Sequence, residues 1–121
     1  MLIQGEDAVF DDQAATSVAL LFHELATNAA KYGALSVARG QVRLETRARD
    51  DRFILTWREV GGPVLSGPPA RQGFGSSLAT LSVEGQLGGR LERRWLPMGL
   101  VVEADLPATA LSRRRAALKS V

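Results

Sequence analysis

The sequence predicts an α+β fold: a two-layer sandwich in which a mixed, mostly antiparallel sheet carries helices on one face. Three observations lead there. One long amphipathic stretch lies near the N-terminus, two pairs of alternating apolar runs follow it, and a glycine- and proline-rich segment divides those pairs. Helices separated by antiparallel pairs bury their apolar sides against a shared sheet, which gives the order β-α-β-β-loop-α-β-β. The domain is expected over residues 1–107, with a basic tail over 108–121.

Each element has its own signal. Met1 to Gln4 and Ala8 to Phe10 supply material for a short edge strand. Asp11 and Asp12 are suitable N-caps for a helix from about Gln13 to Tyr32, and Gly33 offers a left-handed stop. Ala15, Val18, Ala19, Phe22, Leu25, Ala26 and Ala29 form its expected apolar arc. Gln41 to Arg47 and Phe53 to Glu59 alternate with period two and read as a hairpin across Arg49-Asp50-Asp51-Arg52. Residues 60–75 hold five glycines and three prolines, so no regular element is expected there, and a loop of that length reads as a functional lid. A second helix is expected from about Ser76 to Gln86 with Leu78, Leu81 and Leu87 inward. Arg90 to Trp95 and Leu100 to Leu106 then form a second hairpin across Leu96-Pro97-Met98-Gly99, with Pro107 ending the last strand.

Composition narrows the chemistry. A chain of 121 residues with 45% hydrophobic content fits one soluble domain with a real core. It has no cysteine, and its one histidine is His23, so disulfides, thiolate chemistry and multi-histidine zinc sites are excluded and any metal must use oxygen ligands. No run of eighteen apolar residues occurs and the N-terminus lacks a signal-peptide pattern, which makes the cytoplasm the expected location, without membrane contact. The net charge of +2 does not indicate nucleic acid: four of the 15 basic residues, Arg113, Arg114, Arg115 and Lys119, lie in the tail, and the remaining 11 face 13 acidic ones.

Three segments carry candidate chemistry. On the first helix, at about 100° per residue, Asn28 lies roughly 40° and Lys31 roughly 20° from Glu24, so the three head groups share a stripe. A carboxylate suits proton transfer, a carboxamide oxygen suits Mg²⁺, and an ammonium suits phosphate. The same stripe also reads as a solvated helix face with an incidental asparagine. His23 falls between the polar and apolar arcs, as a hydrogen-bonded structural residue or a catalytic one. In the second segment, Glu59 followed by Gly61-Gly62-Pro63 reads either as a strand end with a tight turn or as an acceptor for a ligand amino group above a close backbone. In the third, Gly73-Phe74-Gly75-Ser76-Ser77 opens a helix, as turn chemistry or as a phosphate cradle.

Taken in order, these segments resemble the ATP-binding domain of bacterial sensor histidine kinases, in the superfamily of gyrase, Hsp90, histidine kinases and MutL, whose domains share a Bergerat-type sandwich. His23-Glu24-Leu25-x-x-Asn28-Ala29-x-Lys31-Tyr32-Gly33-Ala34-Leu35 looks like the N box, and Trp57-x-Glu59 with Gly61-Gly62-Pro63 is similar to the HWE subfamily. The likeness runs from about residue 5 to residue 107. It implies that Asn28 holds Mg²⁺ bridging the ATP phosphates, that Glu24 polarises a metal-bound water or the nucleophile, that Lys31 contacts phosphate and that Tyr32 flanks the nucleotide. It further implies that Glu59 accepts from the adenine amino group with Gly61 beneath the ring, that Gly62 belongs to the same nucleotide site, and that Gly73, Phe74, Gly75, Ser76 and Ser77 hold the phosphates. The Asp-x-Gly form of the first glycine box is replaced by Glu59-Val60-Gly61.

The implied activity is transfer of the ATP γ-phosphoryl group to a histidine, within a two-component system that includes a response regulator. His23 lies inside the N box, so the phosphoacceptor histidine is expected on a separate helical dimerisation domain outside this chain, and dimerisation is not legible here. The competing readings are an ATPase of the same superfamily and a non-catalytic, nucleotide-free interaction module of the same fold, as in some histidine phosphotransfer proteins.

Overall fold

The computed structural model describes residues 2–5, 12–64 and 78–108. Strand β1 (Leu2–Gly5) precedes helix α1 (Asp12–Lys31); a 3-10 turn at Ala34–Ser36 leads to β2 (Gln41–Arg49) and β3 (Arg52–Val60). A π-helix at Leu81–Gln86 is followed by β4 (Arg90–Leu96) and β5 (Gly99–Pro107). The sheet order is β1-β2-β3-β5-β4, with β1 parallel to β2 and the other pairs antiparallel. The expected α+β architecture, both hairpins and the edge position of the first strand are therefore present. Ala8 to Phe10 and residues 109–121 lie outside the described residues.

Register decides which side chains meet the helices. Cross-strand partners share a face, so Val42 opposite Glu59, Leu44 opposite Trp57 and Trp57 opposite Val102 fix an inner face that continues through Leu55 and Ala104. Of these, Val42, Leu55, Trp57, Val102 and Ala104 join Val18, Leu21, Leu25 and Ala29 of α1 and Val83 and Leu87 of the π-helix region in one core. The first hairpin turns at Asp50, whose φ of 54° is left-handed, a conformation that aspartate reaches more readily than most non-glycine residues.

Two helix faces differ from the sequence expectation. Ala15 and Ala19 are exposed, whereas Ala14, Ser17, Leu21 and Glu24 are buried, so the inward arc of α1 is turned by roughly 60° toward the Glu24 stripe at about 100° per residue. Burying the larger apolar surface of Leu21 outweighs burying two alanine methyl groups. In the second helical segment Leu78 is 39% and Leu81 64% exposed, while Ala79, Ser82, Val83 and Leu87 point inward. The inward stripe is offset by one residue from the expected one, and the segment closes with a wider turn in which Leu87 N–H donates to Ser82 O at 3.2 Å, an i to i−5 bond. Ser17 Oγ ties this segment to α1 by donating to Gln86 Oε1 at 2.9 Å. Residues 78–80 are helical, and the expected start at Ser76 lies outside the described residues.

Candidate functional site

Helix α1 presents Glu24, Asn28 and Lys31 in successive turns. Glu24 is 9% exposed, and its Oε1 is fully buried with no hydrogen-bond partner among the described residues. A buried, unpartnered carboxylate oxygen is costly and marks a place where a ligand or ion completes the bonding. Burial pushes the Glu24 carboxyl above the usual carboxylate range, and the Arg93 and His23 charges pull it back in part. Asn28 is half-buried, Lys31 and His23 are exposed, and Tyr32 is 71% exposed. Lys31 also sits in the last turn of α1, where a cation complements the helix dipole without any ligand. No side-chain hydrogen bond of His23 is present among the described residues; its backbone oxygen accepts from Thr27 Oγ1 at 2.7 Å.

The end of α1 is fastened to the end of β3. Glu59 is 4% exposed, and both its oxygens are engaged: Ala34 N–H donates to Oε1 at 3.0 Å and Trp57 Nε1–H donates to Oε2 at 3.0 Å. The indole ring stacks on Phe22, centroids 6.3 Å apart, so the strand pair grips α1 just before His23 and the chain just beyond Gly33. Gly33 is required at this junction because a Cβ there would run into Glu59 Oε1. Below it, Gly61 adopts a left-handed φ of 74° and Gly62 lies against Ala34, where a Cβ would come within 2.6 Å of the Ala34 Cα. The structure thus brings Glu59, Gly61 and Gly62 to the C-terminal end of the Glu24-Asn28-Lys31 stripe. Gly73, Phe74, Gly75, Ser76 and Ser77 lie outside the described residues.

An open cavity of about 380 Å³ lined by Val37, Ala38, Arg39, Gly61, Gly62 and Pro63 opens beside this junction. It shares two glycines with the stripe's neighbourhood and none of the three head groups.

Two site features were not anticipated from sequence. Arg93 lies opposite Val102 in the β4–β5 register, hence on the inner face, and its Nη1 donates to Thr80 Oγ1 at 3.2 Å. Its signal was available: an arginine between Leu91 and Trp95 at inward spacing in an alternating strand. The Ala34 amide left no such signal, because a backbone donor carries no residue code.

The donor set can be tested against a metal. Among the described residues no group of three or more histidine, cysteine, aspartate or glutamate side chains is placed to hold an ion. Magnesium bound by one or two protein oxygens needs phosphate and water for its remaining positions, and a half-buried carboxamide at Asn28 beside the unpartnered Glu24 oxygen fits that mode.

No protein-family model matches the chain. It is 37% identical over 111 residues to a blue-light-activated histidine kinase of Rhizobium johnstonii, covering 88% of this chain and 31% of that protein. Blue-light-activated histidine kinase 1 of Erythrobacter litoralis is 38% identical over 95 residues, covering 76% of this chain and 26% of that protein. Among solved structures, the histidine kinase domain of the Erythrobacter litoralis EL346 blue-light-activated kinase superposes with a TM-score of 0.72 at 23% identity, over 91% of this chain and 54% of that one. The catalytic domain of histidine kinase ThkA gives 0.67 at 15% identity, over 88% of this chain and 77% of that one. ThkA is also known in complex with the response regulator protein TrrA, with a TM-score of 0.66 over 90% of this chain and 34% of that one, at 17% identity. The chain belongs to the histidine kinases, and its fold is the one that histidine kinase catalytic domains share. It spans about a third or less of the length of the curated relatives it matches. Among its described residues, no helix is long and apolar enough to cross a membrane.

Proposed function

We propose that this domain binds ATP with Mg²⁺ and transfers the γ-phosphoryl group to a histidine on a separate helical domain, as the catalytic part of a sensor kinase of the HWE type that serves a response regulator. The observation that carries the proposal is the buried, unpartnered Oε1 of Glu24 one helical turn from Asn28, on a helix whose end is pinned to Glu59. In this reading Asn28 holds the metal through its carboxamide oxygen, and the metal, when bound with nucleotide, neutralises phosphate charge. Lys31 reaches the phosphates from the last turn of α1, Tyr32 flanks the nucleotide, and Glu59 with Gly61 and Gly62 receives the adenine end. Gly73 to Ser77 complete the phosphate cradle. Glu24, whose burial raises its proton affinity, orients the attacking nitrogen or a water beside it. His23 adjusts the charge state of Glu24 from the exposed side and is not the phosphoacceptor.

Calorimetric titration with a non-hydrolysable ATP analogue and Mg²⁺ tests the reading. Binding to the wild type and its loss in Asn28→Ala, with the fold unchanged by circular dichroism, is the expected outcome. No binding at millimolar nucleotide would leave the interaction-module reading instead.

A further inference from the structure

The Trp-x-Glu pair is a hydrogen-bonded unit. Trp57 is 2% exposed, and its single polar group, the indole N–H, needs a buried acceptor. Spacing by two residues puts Glu59 on the same face of β3, and Oε2 accepts that proton at 3.0 Å. Oε1 takes the Ala34 amide at 3.0 Å. A carboxylate offers about four lone-pair directions, so these two donors fix its torsions and still leave acceptor capacity on each oxygen. That matters because a glutamate has one more rotatable bond than an aspartate in the same role, and each free torsion dilutes the orientation that reads a ligand.

We propose that Trp57 is a positioning residue for base recognition: its indole N–H, with the Ala34 amide, holds the Glu59 carboxylate in the orientation whose remaining lone pairs accept from the exocyclic amine of adenine. The inference rests on the ATP-site reading above. Glu59 is the group that touches the base, and Trp57 acts through it. The pairing accounts for tryptophan beside glutamate: the indole removes the freedom that the longer side chain introduces.

The test compares Mg²⁺-ATP with Mg²⁺-purine riboside triphosphate, which lacks the amine, on this chain and on Trp57→Phe, which keeps the ring and loses the donor. Wild type should prefer ATP by roughly tenfold or more, the worth of a hydrogen bond to a charged acceptor. Trp57→Phe should lose most of that preference while binding the amine-free nucleotide as wild type does; a structural defect alone would weaken both nucleotides together. An undiminished preference in a folded Trp57→Phe overturns the inference and leaves the ATP site standing. Failure of wild type to bind either nucleotide overturns the ATP-site reading itself. Should Trp57→Phe not fold, the indole ¹⁵N–H resonance of the wild type decides: it should move with ATP and not with the amine-free nucleotide, and an equal response to both refutes the role. Trp95→Phe, which removes the other of the two tryptophans, assigns the signal.

Discussion

The two ends of the stripe on α1 treat their carboxylates in opposite ways. At the C-terminal end Glu59 is 4% exposed with both oxygens bonded to the protein, whereas at the N-terminal end Glu24 is 9% exposed with one oxygen bonded to nothing. Nearly equal burial thus serves a finished joint in one place and an unfinished one in the other. A satisfied buried polar group fixes a geometry, and an unsatisfied one holds a free-energy deficit that a bound partner removes. The frame end should therefore govern stability together with base recognition, and the open end the transfer step, and substitutions can separate the two.

The largest effect is expected at the open end. Glu24→Gln keeps the shape and removes the charge, so phosphotransfer to a phosphoacceptor domain supplied in trans should fall by about 10² to 10⁴, the usual weight of a positioned acid or base. Its urea-denaturation midpoint should not drop. A Glu24→Gln domain that transfers phosphate at the wild-type rate would remove Glu24 from the chemistry.

At the frame end the ordering reverses. Trp57→Ala deletes a large core side chain and leaves Glu59 Oε2 without its donor, which should cost about 3–5 kcal/mol in urea denaturation. Gly33→Ala is the smaller lesion: its methyl group meets Glu59 Oε1 and must push the carboxylate off the Ala34 amide, at about 1–3 kcal/mol. Unchanged stability in both variants would mean that the joint does not hold the end of α1.

Much of this was legible in the sequence. The helix from Gln13 to Tyr32 matches α1 (Asp12–Lys31) because periodicity is local, although Gly33 follows it at φ −111° and not in the expected left-handed conformation, and the alternating runs of both hairpins gave their pairing for the same reason. The identity of the inward face was less legible: Ala15 and Leu21 both fit an apolar arc, and only the sheet decides which one is covered. Leu78 and Leu81 face outward because the inward stripe runs one residue later, through Ala79, Ser82 and Val83, and either stripe satisfies helical spacing until the sheet covers one of them. Glu24, Asn28 and Lys31 were found by spacing, but the charge that Glu24 faces from Arg93 comes from nearly 70 residues away in sequence.

The smallest effect, and the finest test of the contrast, is its pH dependence. Burial raises the Glu24 carboxyl above its unfolded value, so between those two values the folded chain binds more protons than the unfolded one. Stability attributable to this residue is therefore full below the ordinary carboxylate range, declines as pH rises through the raised value, and stays low above it. Arg93 and His23 limit the decline by favouring the ionised form. Wild type and Glu24→Gln should accordingly have stabilities closest to each other at about pH 4 and diverge toward pH 7, with wild type the less stable, and urea midpoints measured across that range read the difference directly. Glu59, with two donors on its carboxylate, gives the matching control in Glu59→Gln: there the variant should be the weaker protein at neutral pH, because one carboxamide hydrogen-bonding group must face a buried N–H donor. A Glu59→Gln protein as stable as wild type at pH 7 would mean that the two donors do not hold the carboxylate.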